Sequence, residues 1–152
     1  MTLGLEPTAP LIWLASLEPT PSPNGEMAGS HPLRRAEALV LVAIGGFLGA
    51  NVRYLLGLAV PGLGGTLLAN VTGSALLGFV LYEATLTGLL AAETRLVVAT
   101  GFLSSYTTYS TFALETIRAT PLLGIANVLA SYALGFGAVY IGGYAAGLLE
   151  ER

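Results

Sequence analysis

The residues with the clearest chemical potential form an uninterrupted run of hydroxyl-bearing side chains from Ser104 to Thr111. All eight are Ser, Thr or Tyr, and they lie within residues 96–114, a stretch that contains no charged residue. Serine and threonine hydroxyls compete for backbone hydrogen bonds and loosen helices. We therefore predict a helix that breaks here, with half-helices near residues 94–103 and 108–118. Such a break exposes carbonyls to a cation and a helix N-terminus to an anion. The alternative is an unbroken helix whose hydroxyls bond back to the preceding turn.

Aromatic and acidic side chains follow this run at helical spacing. Tyr109 and Phe112 are three residues apart on one face, and Thr111 and Glu115 are four apart on the neighbouring stripe. The edge of an aromatic ring carries partial positive charge and can contact a small anion, although an aromatic pair at this spacing more often serves packing. An ionisable group within a membrane span is a functional candidate. Glu115 is therefore either part of a site or a cap near the end of the span.

Other polar side chains interrupt otherwise apolar segments. Asn70 offers amide N–H donors to an anion, or a hydrogen bond to another helix. Arg53 offers a fixed positive charge near a pore mouth, or a contact with lipid headgroups. Asn127 and Ser131 are four residues apart on one stripe. Together these groups suit a narrow track for a small, strongly hydrated anion, because donors replace its water without a buried cation that would trap it.

The composition of the chain indicates that these residues are positioned by membrane helices. Of the 152 residues, 54% are hydrophobic and only 10% are charged, whereas soluble domains usually carry about a quarter charged residues. A helix that crosses the bilayer needs ~20 predominantly apolar residues. We predict an all-α integral membrane protein with four transmembrane helices, the third of them broken, over about residues 36–60, 66–86, 93–118 and 121–149.

Residues 1–36 differ from the rest of the chain. They include six prolines, and their one apolar run, residues 11–17, is too short to span a bilayer. We predict that this segment is disordered or is an extension from a misassigned start codon, with Met27 as the true start. Residues 37–149 would then form the membrane domain.

Residue types exclude or disfavour several functions. The chain has no cysteine, which excludes disulfides and thiolate metal sites, and its single histidine, His31, lies in the polar N-terminal segment. Lysine is absent and no basic patch exists, which argues against nucleic-acid binding. No paired carboxylates, nucleophile–base set or metal-ligand cluster falls at membrane depth, so we expect no enzyme. Arginine placement favours cytoplasmic termini.

Small residues recur at four-residue spacing, for example Gly45 with Gly49 and Gly143 with Gly147. In lipid, small residues let helix backbones approach closely. These positions therefore predict either a tight dimer interface or the ordinary packing of glycine-rich membrane helices.

Three segments resemble the CrcB/Fluc family of fluoride channels. Residues 45–54 (GGFLGANVRY) are similar to the family's GGxxGxxxRY signature, and residues 65–73 (GTLLANVTG) to its GTLxxNxxG segment. Residues 101–115 (GFLSSYTTYSTFALE) are similar to its GFxGGxTTFSTFxxE segment. The order of the segments and the predicted helix count agree with the family over about residues 36–149.

The resemblance implies a dual-topology dimer of antiparallel subunits, with two fluoride pores and a central structural sodium ion. Sodium would be held by backbone carbonyls, here those of Ser104 and Thr107, and Arg53 matches the family's arginine near the pore entrance. The implied role is fluoride resistance, through passive fluoride export across the plasma membrane of a prokaryote. The implied fluoride pore comprises Asn70, Tyr109, Ser110, Thr111, Phe112, Glu115, Asn127 and Ser131.

The chain departs from the family's pattern at three places. Ser104 and Ser105 replace the usual glycine pair, and serine would be strained in a turn that requires positive φ. Tyr109 replaces the first phenylalanine of the aromatic pair, and Ala75 replaces a phenylalanine that often follows the second motif.

Several alternatives therefore stay open. The chain could form a homodimer, or it could be a non-conducting or partial-pore subunit of a heterodimer with a homologous chain. A small four-helix, proton-coupled drug exporter would need a carboxylate embedded in the first helix, where only Glu37 lies, at its edge. A non-transporting assembly protein would use the hydroxyl run only for packing.

Overall fold

The computed structural model describes residues 32–86, 88 and 90–150, which form helices joined by short turns and contain no strand. The all-helical prediction is confirmed for this part of the chain. The first helix begins within the segment predicted as an N-terminal extension, and the rest of that segment, with Met27 and His31, lies outside the described residues. The helices are α1 (Pro32–Ala59), α2 (Leu63–Leu86), α3 (residues 92–106), α4 (Tyr109–Arg118) and α5 (Pro121–Glu150).

Within the described residues, three helices are long and apolar enough to cross a bilayer. The candidate spans are Arg35–Ala59 in α1, Leu63–Thr85 in α2 and Pro121–Leu149 in α5, with mean hydropathies of 1.8, 1.5 and 1.7. Large apolar side chains point outward along these helices, among them Phe47, which is 70% exposed, and Ile125, which is 62% exposed. Because exposed apolar side chains are stable against lipid tails, this surface matches the predicted membrane setting.

The helices α2 and α5 pack closely because glycines bring their backbones together. A methyl group at Gly78 would collide with the carbonyl of Val139, and one at Gly142 would collide with the carbonyl of Ala75. Close approach of small residues is a main source of helix association in lipid. This pair of helices forms the central packing unit of the described chain.

The helices α1 and α3 also meet through glycines. A side chain at Gly45 would strike the carbonyl of Val97, and one at Gly49 would strike the carbonyl of Phe102. From the other side, Gly101 lies against the backbone of α1 at Val42. The glycines of α1, predicted for either a dimer interface or ordinary packing, thus pack within the chain.

The helix α3 is irregular along its length. It consists of an α-helical turn, Ala92–Arg95, a π-helical segment, Leu96–Leu103, and a final short turn, Ser104–Tyr106. π-Helical segments are rare and frequently occur at functional sites. This one leads directly into the break between α3 and α4.

A buried polar cluster fastens the turn between α2 and α3. The Glu83 side chain is 1% exposed, and its Oε1 accepts a hydrogen bond of 2.7 Å from the backbone N–H of Leu90. Arg95 approaches the Glu83 carboxylate at 3.8 Å and donates to the Leu90 carbonyl at 2.7 and 3.0 Å. Sequence reasoning did not single out Glu83, because a glutamate near a helix end gives no sign of burial.

Candidate functional site

The predicted break is present, and it is shorter than expected. α3 ends at Tyr106 and α4 begins at Tyr109, with Thr107 (φ −79°, ψ 157°) and Thr108 (φ −150°, ψ 125°) in extended conformation between them. Thr108 caps α4, since its side-chain oxygen accepts a hydrogen bond of 3.3 Å from the N–H of Thr111. The hydroxyl run therefore supplies both the interruption and the cap that starts the next helix.

Asn70 holds the break in place from α2. Its amide N–H donates to the Thr108 carbonyl at 3.0 Å, and its side-chain oxygen accepts from the Thr108 N–H at 2.8 Å. The two bonds satisfy the backbone polar groups of an extended residue, which is a requirement for irregular backbone within a membrane. An asparagine amide carries a second N–H, so Asn70 can brace the break and still offer a donor.

A second brace joins α2 to the end of α3. The hydroxyls of Tyr106 and Thr72 are 2.8 Å apart, and the Tyr106 ring stacks on Phe102 with centroids 5.4 Å apart. Gly73 fits between these elements, since a methyl group there would collide with Thr107. The break is thus held against α2 by hydrogen bonds and by close packing.

The serines that replace the family's glycine pair are not strained. Ser104 has φ −66° and ψ −24°, and no non-glycine residue in the described part of the chain has positive φ. The Ser104 hydroxyl bonds back to the carbonyls of Thr100 and Gly101, as Thr107 does to Leu103 at 2.9 Å. Because α3 stops at Tyr106, carbonyls of its last turn, Ser104 among them, lie beyond the reach of the helix's own N–H groups.

Four of the predicted pore residues line one cavity, which we call the Tyr109 cavity. It has a volume of about 270 Å³ and is bounded by α2, α4 and α5. The rings of Tyr109 and Phe112 lie 5.8 Å apart at its wall. The buried Oγ of Ser131 has no hydrogen-bond partner among the described residues. The residues that line the Tyr109 cavity are Asn70, Ser74, Tyr109, Phe112, Ser131, Tyr132, Gly135, Phe136 and Val139.

Three other predicted residues line a second cavity, which we call the Arg53 cavity. It has a volume of about 310 Å³ and lies between the end of α1, the start of α2 and the first turns of α4. Arg53, Thr111 and Glu115 border it together with Thr108. One buried carboxylate oxygen of Glu115 has no hydrogen-bond partner within the described residues.

Two of the predicted pore residues lie outside both cavities. Asn127 is buried and donates to the Thr116 hydroxyl at 2.8 Å, which in turn donates to the Phe112 carbonyl at 2.6 Å. Asn127 therefore ties α5 to α4 behind the aromatic pair. Ser110 is exposed, with its hydroxyl 3.4 Å from that of Thr108.

The electrostatics of both cavities depend on the first turn of α4. Unpaired N–H groups give the N-terminus of a helix a partial positive charge, and this end of α4 begins at Tyr109, directly after the break. Residues of this turn line both cavities. An anion that passes along them would therefore meet hydroxyl donors, aromatic edges and a positive helix end.

Sequence reasoning missed the aromatic side chains that α5 contributes to the Tyr109 cavity. Tyr132 and Phe136 form a tilted ring pair, with centroids 6.3 Å apart, and both line the Tyr109 cavity. Their spacing of four residues was the available signal. Helical spacing alone did not tell which face of α5 meets α4.

These features are those of a multi-pass helical membrane protein with an interrupted helix. In such proteins, ions commonly bind at the break in the helix. The family model for CrcB-like protein, Camphor Resistance (CrcB), matches residues 40–143, and the chain belongs to that family. Family membership and the apolar helices together place the chain in the cell membrane.

Several similar proteins carry names that state a function. Fluoride-specific ion channel FluC 1 of Haloarcula marismortui is 57% identical over 116 residues, which cover 76% of this chain and 91% of the relative. FluC 1 of Natronomonas pharaonis is 50% identical over 109 residues, covering 70% and 92%. FluC 2 of Halobacterium salinarum is 47% identical over 113 residues, covering 73% and 88%.

Proposed function

We propose that this chain is a fluoride-specific ion channel that lowers cytoplasmic fluoride by passive export. The observation that carries the proposal is the Tyr109 cavity, where Asn70, Phe112 and Ser131 meet beside the helix break in a member of the CrcB family. Relatives that are 57% and 50% identical to it over the aligned residues are named fluoride-specific ion channels.

Fluoride is small and strongly hydrated, so its pathway must replace water at each step. In the Tyr109 cavity, the Ser131 hydroxyl and the second N–H of Asn70 are donors that the fold leaves available, and Phe112 offers an aromatic edge. In the Arg53 cavity, Arg53 supplies a positive charge that draws anions to the entrance. Thr111 and Glu115 would then form the rest of that entrance.

We propose that α3 and α4 together form the fourth membrane crossing. Neither is among the long apolar spans, because the break divides them, and α4 is only 10 residues long. Joined at Thr107 and Thr108, they connect α2 to α5 and complete the predicted topology. Irregular backbone within a membrane is stable where protein surrounds it and hydrogen bonds satisfy its polar groups. Asn70 provides these hydrogen bonds to Thr108.

We propose that the working unit is a dual-topology dimer of antiparallel subunits. The Tyr109 cavity is bounded on the described chain by α2, α4 and α5 alone, so a second subunit would complete its wall. The relatives' names distinguish FluC 1 from FluC 2, which makes a heterodimer with a homologous subunit the second arrangement to test.

A structural sodium ion fits the residues at the break. Carbonyl oxygens freed by an interrupted helix are suitable ligands for sodium, and the carbonyls of Ser104 and Thr107 lie at the end of α3 and in the extended segment. We propose that these two carbonyls hold the ion. Bound there, sodium would supply a fixed positive charge and join the two subunits.

The proposal is tested by ion efflux from liposomes that contain the purified chain, alone or with a homologous second subunit. We expect passive fluoride efflux, measured with a fluoride electrode, and no chloride efflux above that of protein-free liposomes. Proton-coupled uptake of a lipophilic cation without fluoride efflux would instead establish the exporter. Absence of all three fluxes in both preparations would contradict a transport function.

A further inference from the structure

A tyrosine outside the predicted pathway lines the same cavity. Tyr132 follows Ser131 on α5 and borders the Tyr109 cavity. Its ring pairs with Phe136 along the helix. The cavity is therefore bordered by two phenols from different helices, Tyr109 and Tyr132, and by the unpartnered hydroxyl of Ser131.

The depth of Tyr132 is unusual for a tyrosine in a membrane helix. α5 begins at Pro121, so Tyr132 lies about 16 Å from its start at 1.5 Å per residue. Membrane tyrosines are enriched at the two interfaces, where their hydroxyls reach water or headgroups. The Tyr132 side chain is 54% exposed and makes no hydrogen bond within the described part of the chain. A hydroxyl at this depth is costly unless it finds an acceptor.

We infer that the Tyr132 phenol is a further anion-contacting group, which donates its O–H to fluoride as the ion crosses the Tyr109 cavity. The inference rests on the proposed function and adds a residue to it. A phenol is a hydrogen-bond donor with an apolar ring, so it contributes a donor without a charge that would trap the ion. With Tyr109 on α4, it would let two helices contact the same ion.

The test removes only the hydroxyl. We expect Tyr132→Phe to lower the fluoride efflux rate by about tenfold, the size expected when one hydrogen bond to a charged ion is lost. The matched control is Tyr140→Phe, because Tyr140 lies on the same helix, is 75% exposed and borders neither cavity. The control should keep the wild-type rate, and both variants should keep the wild-type melting temperature in detergent.

The other possible results would contradict either the role of Tyr132 or the proposed function, and they can be told apart. If the wild type conducts and Tyr132→Phe conducts equally well, the inference is wrong and the proposed function stands. Loss of rate together with a lower melting temperature would show a structural role for the hydroxyl, and equal loss in Tyr140→Phe would show an effect that is not specific to the cavity. A wild type without fluoride efflux would remove the proposed function and this inference together.

Discussion

At the scale of single residues, the hydroxyl run makes hydrogen bonds of two kinds, which the sequence alone did not separate: some bond back to the preceding turn of α3, and one caps the start of α4. Ser104 and Thr107 bond back to the preceding turn, as the unbroken-helix alternative expected, and yet the chain still opens at Thr107 and Thr108. The opening is stabilised by Asn70, which replaces the backbone partners that Thr108 loses. The hydroxyl run therefore interrupts the helix and caps its continuation, and a polar residue on another helix stabilises the opening at Thr108.

Phe112 tests the aromatic part of the pathway. It is 9% exposed and lies against Tyr109 at the wall of the cavity. We expect Phe112→Ile to reduce fluoride efflux at least about tenfold, because isoleucine fills similar space but has no aromatic edge for the anion. The measurement is fluoride efflux from liposomes at equal protein loading.

Phe47→Ile is the matched control for this substitution. Phe47 lies on α1, is 70% exposed and borders neither cavity, so its replacement should leave the rate unchanged. Equal rates in the wild type and Phe112→Ile would remove the aromatic pair from the pathway.

At the scale of elements, the long apolar helices and the interruption were predictable, whereas the details that depend on packing between helices were not. Segments without charged residues, together with the turn at Pro61 and Gly62, predict the bounds of α1, α2 and α5 to within a few residues. The interrupted element was predictable because its hydroxyls disfavour a regular helix. Two features could not be predicted from the sequence: the π-helical conformation of Leu96–Leu103 and the burial of Glu83. Both depend on contacts between helices that are distant in sequence.

The packing of α2 on α5 gives a prediction about stability. We expect Gly142→Ala to destabilise the protein by about 1–3 kcal/mol, because its new methyl group would collide with the Ala75 carbonyl and backbones cannot move apart cheaply. Thermal unfolding in detergent, followed by size-exclusion chromatography, should show a lower melting temperature.

Gly137→Ala on the same helix provides the comparison. Apart from the surrounding backbone of its own helix, no heavy atom of the described chain lies within 4 Å of the position that its methyl group would occupy, and alanine favours helix by up to about 1 kcal/mol over glycine. This variant should be as stable as the wild type or slightly more so. A Gly142→Ala protein as stable as Gly137→Ala would contradict the close packing of the two helices.

At the scale of the whole molecule, the described chain brings polar residues together in two cavities next to the break. The sequence predicted a single track, whereas the fold places Arg53, Thr111 and Glu115 in one cavity and most of the remaining pore residues in the other. Asn70 connects the two cavities: it lines the Tyr109 cavity, and it hydrogen-bonds the backbone of Thr108, which lines the Arg53 cavity. Conduction should therefore depend on this one side chain more than on any single hydroxyl.

The measurement that tests this account most directly is fluoride efflux by Asn70→Asp beside Asn51→Asp. Asn51 makes a similar bond, from its amide to the Phe47 carbonyl at 2.7 Å, but on the exposed side of α1. We expect Asn70→Asp to lower the rate about a hundredfold, because a carboxylate cannot donate to the Thr108 carbonyl and repels an anion. Asn51→Asp should conduct like the wild type. Wild-type efflux by Asn70→Asp would show that the break it holds is not part of the ion pathway.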